Sequence, residues 1–226
     1  PFLLIMAIGP KLKWIKSNLE DKIYLIAILI VSILLSILII KNFSTDFLIN
    51  TILISSAFYL FFITLRDFFN KGFKNLAQNT AHFGFSLLIL SILFNNLFST
   101  EIITNLKVGE TFENTKTKII FENISQEEEK NYKSIIAKFI IQDSKGKIEN
   151  LSPELRIYNQ PNIVTSEADI KTTLLSDKFI VINMVPNQEL FNVRYQVKPF
   201  MLWIWISVIL ISVGGILSFV KKEYEK

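Results

Sequence analysis

The sequence predicts a membrane α-helical protein of about four full transmembrane helices plus a partial N-terminal one, with an inserted, mostly antiparallel β domain. Three observations lead there. Half of the 226 residues are hydrophobic, 20 are phenylalanine and the mean hydropathy is +0.40, more apolar than a soluble domain sustains. Several charge-free runs are long enough to cross a hydrocarbon core about 30 Å thick. Between residues 100 and 198 the pattern changes to short stretches rich in Ile, Val, Phe and Tyr that alternate with polar residues.

The chain opens inside an apolar run, residues 1–9, that is too short to span and lacks the basic start and cleavage site of a signal peptide. It is therefore expected to be a piece of a longer protein, cut within or just before a helix. Gly9-Pro10 stops that helix, and Lys11, Lys13, Trp14 and Lys16 form a basic segment with an interfacial aromatic. Residues 23–40 and 47–65 are the next two spans, joined by a short link from Lys41 to Asp46. Arg66, Lys71 and Lys74 make the following connector basic, and a third span covers 76–98. The last, within 199–226, opens with Trp203 and Trp205 and closes on Lys221-Lys222; its Gly214-Gly215 pair offers a close-packing surface. All three basic clusters fall on one side if each span crosses once. The positive-inside rule makes that side cytoplasmic and puts residues 100–198 outside.

In the outer segment, Lys118–Phe121, Tyr132–Gln142, Phe179–Met184 and Phe191–Val197 read as strands, with turns at Val108-Gly109-Glu110 and Asp143-Ser144-Lys145-Gly146. Gln126 to Lys130 reads as a solvated loop. Acidic residues slightly outnumber basic ones there, so the formal charge of +4 belongs to the membrane-flanking segments and reports topology rather than an anionic substrate.

The candidate site is Asn79-Thr80-Ala81-His82-Phe83-Gly84-Phe85-Ser86, which places the single histidine of the chain just inside an apolar run. Ionisable residues at membrane depth are costly and mark functional sites. At helical spacing Gln78 and Asn79 precede His82 by a turn and Ser86 follows by a turn, a narrow polar stripe that must meet protein, water or a cofactor. Phe83, Leu87 and Leu90 form a face for lipid. An imidazole can ligate iron, and Gly84 would let a flat, bulky group approach the backbone. From these residues alone two readings stand: a cofactor or proton-handling role, or an interhelical hydrogen bond in a membrane-anchored scaffold. The span count by itself also suits a transporter subunit.

Other chemistry is poorly supplied. There is no cysteine for a disulfide or a thiolate metal site, and no basic patch with interleaved aromatics that would suit nucleic acid. The outer segment has no histidine and no Gly-rich phosphate loop, and Glu167 and Asp169 read as surface or turn residues. A chain with one histidine can supply half of a bis-histidine haem site.

Several strings taken together resemble one family. They are Phe2…Gly9-Pro10…Lys13-Trp14, Ala81-His82-Phe83-Gly84, Pro153-Glu154-Leu155-Arg156-Ile157-Tyr158, Thr165-Ser166-Glu167-Ala168, Val193-Arg194-Tyr195…Lys198-Pro199-Phe200…Trp203-Ile204-Trp205, and Gly214-Gly215. In order and spacing they resemble the C-terminal part of CcmF, the membrane subunit of the cytochrome c maturation haem lyase. The resemblance implies a haem b held in the bacterial inner membrane (or the mitochondrial one) between two histidines on different helices, with His82 as one axial ligand and the other outside this chain. It further implies haem delivery by a CcmE-type chaperone, a CcmH-type thiol protein as partner, and attachment of the haem vinyl groups to the thiols of apocytochrome c. The family's Trp-rich signature is absent from these 226 residues, so this segment alone is not expected to be catalytic. The resemblance leaves the roles of Arg156, Glu167 and Arg194 open.

Overall fold

A computed structural model describes residues 2–9, 19–41, 46–70, 75–186 and 188–224. The basic residues Lys11, Lys13, Lys16, Lys71 and Lys74, together with Pro10, Trp14 and the link at 42–45, lie outside the described residues. The chain divides into a helical unit, Pro1–Leu97 with Phe200–Lys226, and a β unit, Phe98–Pro199.

The helical unit contains α1 (Phe2–Ile8), α2 (Leu19–Ile40), α3 (Phe47–Asn70), α4 (Leu76–Phe98) and α5 (Met201–Tyr224). The last four are long and apolar enough to cross a membrane. Half of the α3 span is buried, against 11–22% for the others, so α3 is the helix around which the rest of the unit packs. Its Ala57 and Phe58 pack with Ile40 of α2 and Leu90 of α4. Its Tyr59, Leu60 and Ile63 enclose Ala7 of α1. The serines and threonines inside these helices return their hydroxyls to the preceding turn, as Ser32 does to Ile28 O at 2.8 Å and Ser207 to Trp203 O at 2.6 Å. Bonds of this kind keep these hydroxyls paired in hydrocarbon.

Two expectations need correction here. α3 does not stop at Leu65 but runs to Asn70, because the residues read as connector are held by neighbours: the Arg66 guanidinium lies 3.7 Å from the Tyr24 ring centroid and the Phe68 ring stacks on Phe83 at 5.3 Å. For the same reason Phe83 is not a lipid-facing residue. It is wedged between Phe61, at 5.8 Å, and Phe68, and Leu90 is only 7% exposed.

The β unit has two antiparallel sheets. One has the order β1-β10-β9-β8, formed by Thr100–Leu106, Phe191–Pro199, Ser176–Met184 and Asp169–Thr172. The other runs β2-β3-β4-β6-β7, formed by Thr111–Glu113, Thr117–Glu128, Tyr132–Asp143, Glu154–Tyr158 and Ile163–Glu167, with β5 (Ile148–Leu151) also paired to β4. Alternate residues of both sheets, including Ile119, Phe121, Phe139, Ile141, Ile180, Ile182 and Val193, meet in one core, which makes this a sandwich. Phe121 and Phe139 are directly opposed across β3 and β4 with rings 4.4 Å apart. Full burial of such side chains stabilises by roughly 1.5–3 kcal/mol each.

Both expected turns form, with Gly109 at φ 85° and Gly146 at φ 78°, a region that glycine enters without strain. The Gly146 N–H donates to Asp143 O at 2.9 Å, and the Asp143 carboxylate accepts from Lys145 N and Lys147 N. The Gln126–Lys130 loop is a correction. Gln126 to Glu128 continue β3 opposite Ile135, Ser134 and Lys133, held by the hairpin register rather than by burial, since all three are exposed.

Candidate functional site around His82

The first half of α4 is gripped from two sides. Toward α3, Asn79 Nδ2 donates to Asp67 O at 3.1 Å and Ser86 Oγ lies 2.6 Å from Thr64 Oγ1. Toward α5, a Cβ on Gly84 would stand 2.9 Å from both Ile211 N and Leu210 Cβ, and one on Gly214 would stand 2.6 Å from Ala81 N. α4 and α5 thus run backbone against backbone, an approach that only small residues permit. They are antiparallel, since Phe94 meets Phe200 at 5.3 Å while Ala81 meets Gly214. Gly215 has nothing within 4 Å of its Cβ position, so only one glycine of the pair serves this contact.

At 100° per residue, Asn79, Phe83 and Ser86 form the α3 side of α4, and Ala77, Ala81 and Gly84 the α5 side. His82 belongs to neither. It lies with Gln78, Phe85 and Ile89 on the strip between them and is half-buried. Among the described residues no hydrogen bond or ion pair reaches its ring. The expected polar stripe is therefore divided: Asn79 and Ser86 are occupied by α3, Gln78 is exposed, and His82 is left with two apolar neighbours one turn away. Gly84 must also be corrected, since the space above it is filled by Leu210 and Ile211 and not open to a flat group. The sequence could not reveal this, because a glycine that admits a ligand and one that admits a helix look alike.

No three His, Asp or Glu side chains among the described residues stand close enough to hold a metal ion. In the β unit, Arg156 Nε donates to Glu154 Oε2 at 3.0 Å, with its guanidinium 5.1 Å from the Tyr132 ring centroid. Arg194 pairs with Glu101 across β10 and β1, and Gln196 donates to the same carboxylate; these hydrogen bonds hold Glu101 below the usual carboxylate range. Glu167 accepts from Thr165 Oγ1 at 3.1 Å. Asp169 is a strand residue that accepts from Ser152 N at 2.6 Å. All are engaged within the sheets.

Missing from the sequence reading is Glu149, 3% exposed, whose carboxylate takes Lys178 Nζ at 2.8 Å from the other sheet and Lys147 Nζ at 2.9 Å. Burial pushes this carboxyl up, yet the two ammonium partners together hold it below its ordinary value. A signal existed: in Ile148-Glu149-Asn150-Leu151 the period of two puts Glu149 on the same face as buried Leu151.

The architecture defines a class: a multi-span α-helical membrane protein with a β-sandwich inserted between its last two spans. Residues 97–199 match the family model described as the CcmF C-terminal beta-sandwich. The cytochrome c-type biogenesis proteins CcmF of Haemophilus influenzae and Escherichia coli are each 24% identical over 99% and 100% of this chain. That of Pseudomonas aeruginosa is 25% identical over 70%. The solved structure of a cytochrome c heme lyase CcmF has the same fold, with a TM-score of 0.69 over 95% of this chain at 19% identity. Residues 97–199 thus match the CcmF C-terminal β-sandwich, and nearly the whole chain is similar to part of the CcmF cytochrome c-type biogenesis proteins. The chain spans 36–37% of the length of the two relatives matched end to end, and 37% of that structure.

Proposed function

We propose that this chain contributes one axial imidazole, from His82, to a haem b held within the bacterial inner membrane, as part of a haem lyase that attaches haem to apocytochrome c. The observation that carries this reading is the division of the polar stripe: buried Asn79 and Ser86 are bonded to α3 and buried Thr80 to its own helix, while among the described residues no hydrogen bond or ion pair reaches the half-buried imidazole. Phe85 and Ile89, the apolar neighbours of His82, pack against the α3 clusters and fix this stretch of α4, so the residue present that fits a haem site is the half-buried imidazole itself. A bound haem supplies a redox-active iron. The tasks of the chain itself are to hold the ligand and to keep α4 rigid through the Gly84 and Gly214 contacts. The second axial ligand would come from another part of the parent protein.

In this reading residues 1–99 and 199–226 form the haem-bearing helical part, and residues 100–198 form a periplasmic domain that docks partners: a CcmE-type haem chaperone, a CcmH-type thiol protein and apocytochrome c. Support comes from the match of residues 97–199 to the CcmF C-terminal β-sandwich and from the distribution of Lys and Arg around the spans. The test is the visible absorption spectrum of the full-length protein in detergent, with and without His82→Ala. A b-type spectrum lost or severely weakened in the variant is the expected result. A parent without haem, or a variant with an unchanged spectrum, removes His82 from the site and leaves a membrane scaffold.

A further inference from the structure

We propose that Leu174-Leu175, the tip of the β8–β9 hairpin, is a membrane-interface anchor of the sandwich, inserting both leucines among lipid headgroups. Two-residue hairpin tips are ordinarily Asn, Gly, Asp or Ser, whose side chains suit water and tight backbone geometry. Here both positions are leucine, and each is 62% exposed.

The strand register says which end of the sheet this tip occupies. Ser176 pairs with Pro199, and Thr100 pairs with Val197. Pro199 is two residues before the first residue of α5, and Thr100 is two residues after the last of α4, both candidate membrane spans. The hairpin therefore turns at the end of the sheet from which the chain passes into two transmembrane helices. At the opposite end, beyond the Leu106 and Phe191 pair, the turns carry Lys107, Glu110, Gln188 and Glu189 and are suited to water.

The turn is also built to leave water. Thr173 N donates to Ser176 O at 3.0 Å, Thr173 Oγ1 donates to the same oxygen at 2.7 Å, and Ser176 N donates to Thr173 Oγ1 at 3.1 Å. The groups that close the loop are satisfied within it, as a segment entering the interface requires. Exposed Lys171, three residues before the tip on β8, is a cation placed to meet lipid phosphates. The bilayer interface is the occupant that this order of leucines, then lysine, then sheet fits.

The test uses the protein in phosphatidylcholine and phosphatidylglycerol vesicles, with an environment-sensitive dye on a single cysteine. This chain has no cysteine of its own. Leu174→Cys and Leu175→Cys are compared with Val108→Cys, which is 48% exposed in the turn at the other end of the sheet. Headgroup-attached nitroxide should quench the dyes at 174 and 175 several-fold more than the dye at 108, and iodide should show the reverse order. Equal iodide quenching at all three positions overturns the proposal in favour of a solvent-exposed tip. Protection at 174 and 175 from both quenchers overturns it in favour of a protein neighbour. Because all three side chains are exposed, the substitutions leave the core untouched, and near-UV circular dichroism of each labelled protein confirms a folded sandwich.

Discussion

Glu149 keeps its charge almost out of water because Lys147 and Lys178 both reach it, and Lys178 comes from the facing sheet. Removing one member of a buried pair leaves the other charge uncompensated, at a cost of about 3–5 kcal/mol, whereas replacing both by apolar groups is nearly neutral. Glu149→Ala should therefore lower the urea midpoint of the sandwich far more than the double change Glu149→Leu with Lys178→Met. The pH dependence has a definite sign. A carboxyl held below its unfolded value contributes stability that is fully present above that value, about 4.3, and is lost as pH falls through the lower folded value. Thermal melts of the wild type should weaken on acidification below about pH 4.3, and those of Glu149→Gln should be flatter there. Tyr195, pushed up to about 12 by burial and by the charges of Glu149 and Asp143, should stay un-ionised in a spectrophotometric titration after ordinary tyrosines have ionised.

Phe200 is a second residue-scale case. It joins β10 to α5 with φ at 60°, a left-handed conformation that costs a side-chain-bearing residue about 1–2 kcal/mol. Its ring meets Phe94, and its carbonyl accepts the Ile204 N–H at 3.1 Å, opening the helix. Phe200→Gly loses the ring but relieves the backbone, while Phe200→Ala loses the ring and keeps the strain. Thermal denaturation in detergent should find the alanine variant the less stable of the two, by roughly 1 kcal/mol.

At the scale of elements, α4 decides the geometry of the helical unit because its two sides are committed differently. Toward α3 it uses aromatic rings and two hydrogen bonds; toward α5 it uses bare backbone. Gly214→Val should separate α4 from α5 and cost roughly 1–3 kcal/mol by overpacking, while Gly215→Val, facing open space, should be nearly silent in the same melt. If His82 ligates haem, the Gly214 variant should also weaken the haem spectrum without touching the ligand, because it displaces the helix that presents the ring.

For the whole molecule, the lysines and arginines that flank the spans set the expected orientation. Cysteines introduced at Lys145 in the sandwich and at Lys71 beyond α3 should react with a membrane-impermeant maleimide from opposite sides of the membrane. Labelling of both from one side would overturn the assigned topology.

The four spans, the two glycine turns and the inserted β segment could be read from the sequence because each depends on properties that neighbours in the chain supply: hydropathy over a helix length, a period of two, a residue free to adopt positive φ. His82 stood out for the same reason, as one ionisable side chain in an apolar run. The short strands, the continuation of β3 through Gln126–Glu128 and the extension of α3 past Leu65 were not legible, because cross-strand register and aromatic contacts between helices hold them rather than local pattern. Only the tertiary structure decided that Gly84 receives a helix, that Asn79 and Ser86 are spent on α3 while His82 is not, and that Glu149 answers a lysine from the facing sheet. Each of those outcomes is a distance between residues far apart in the chain, and packing alone sets such distances.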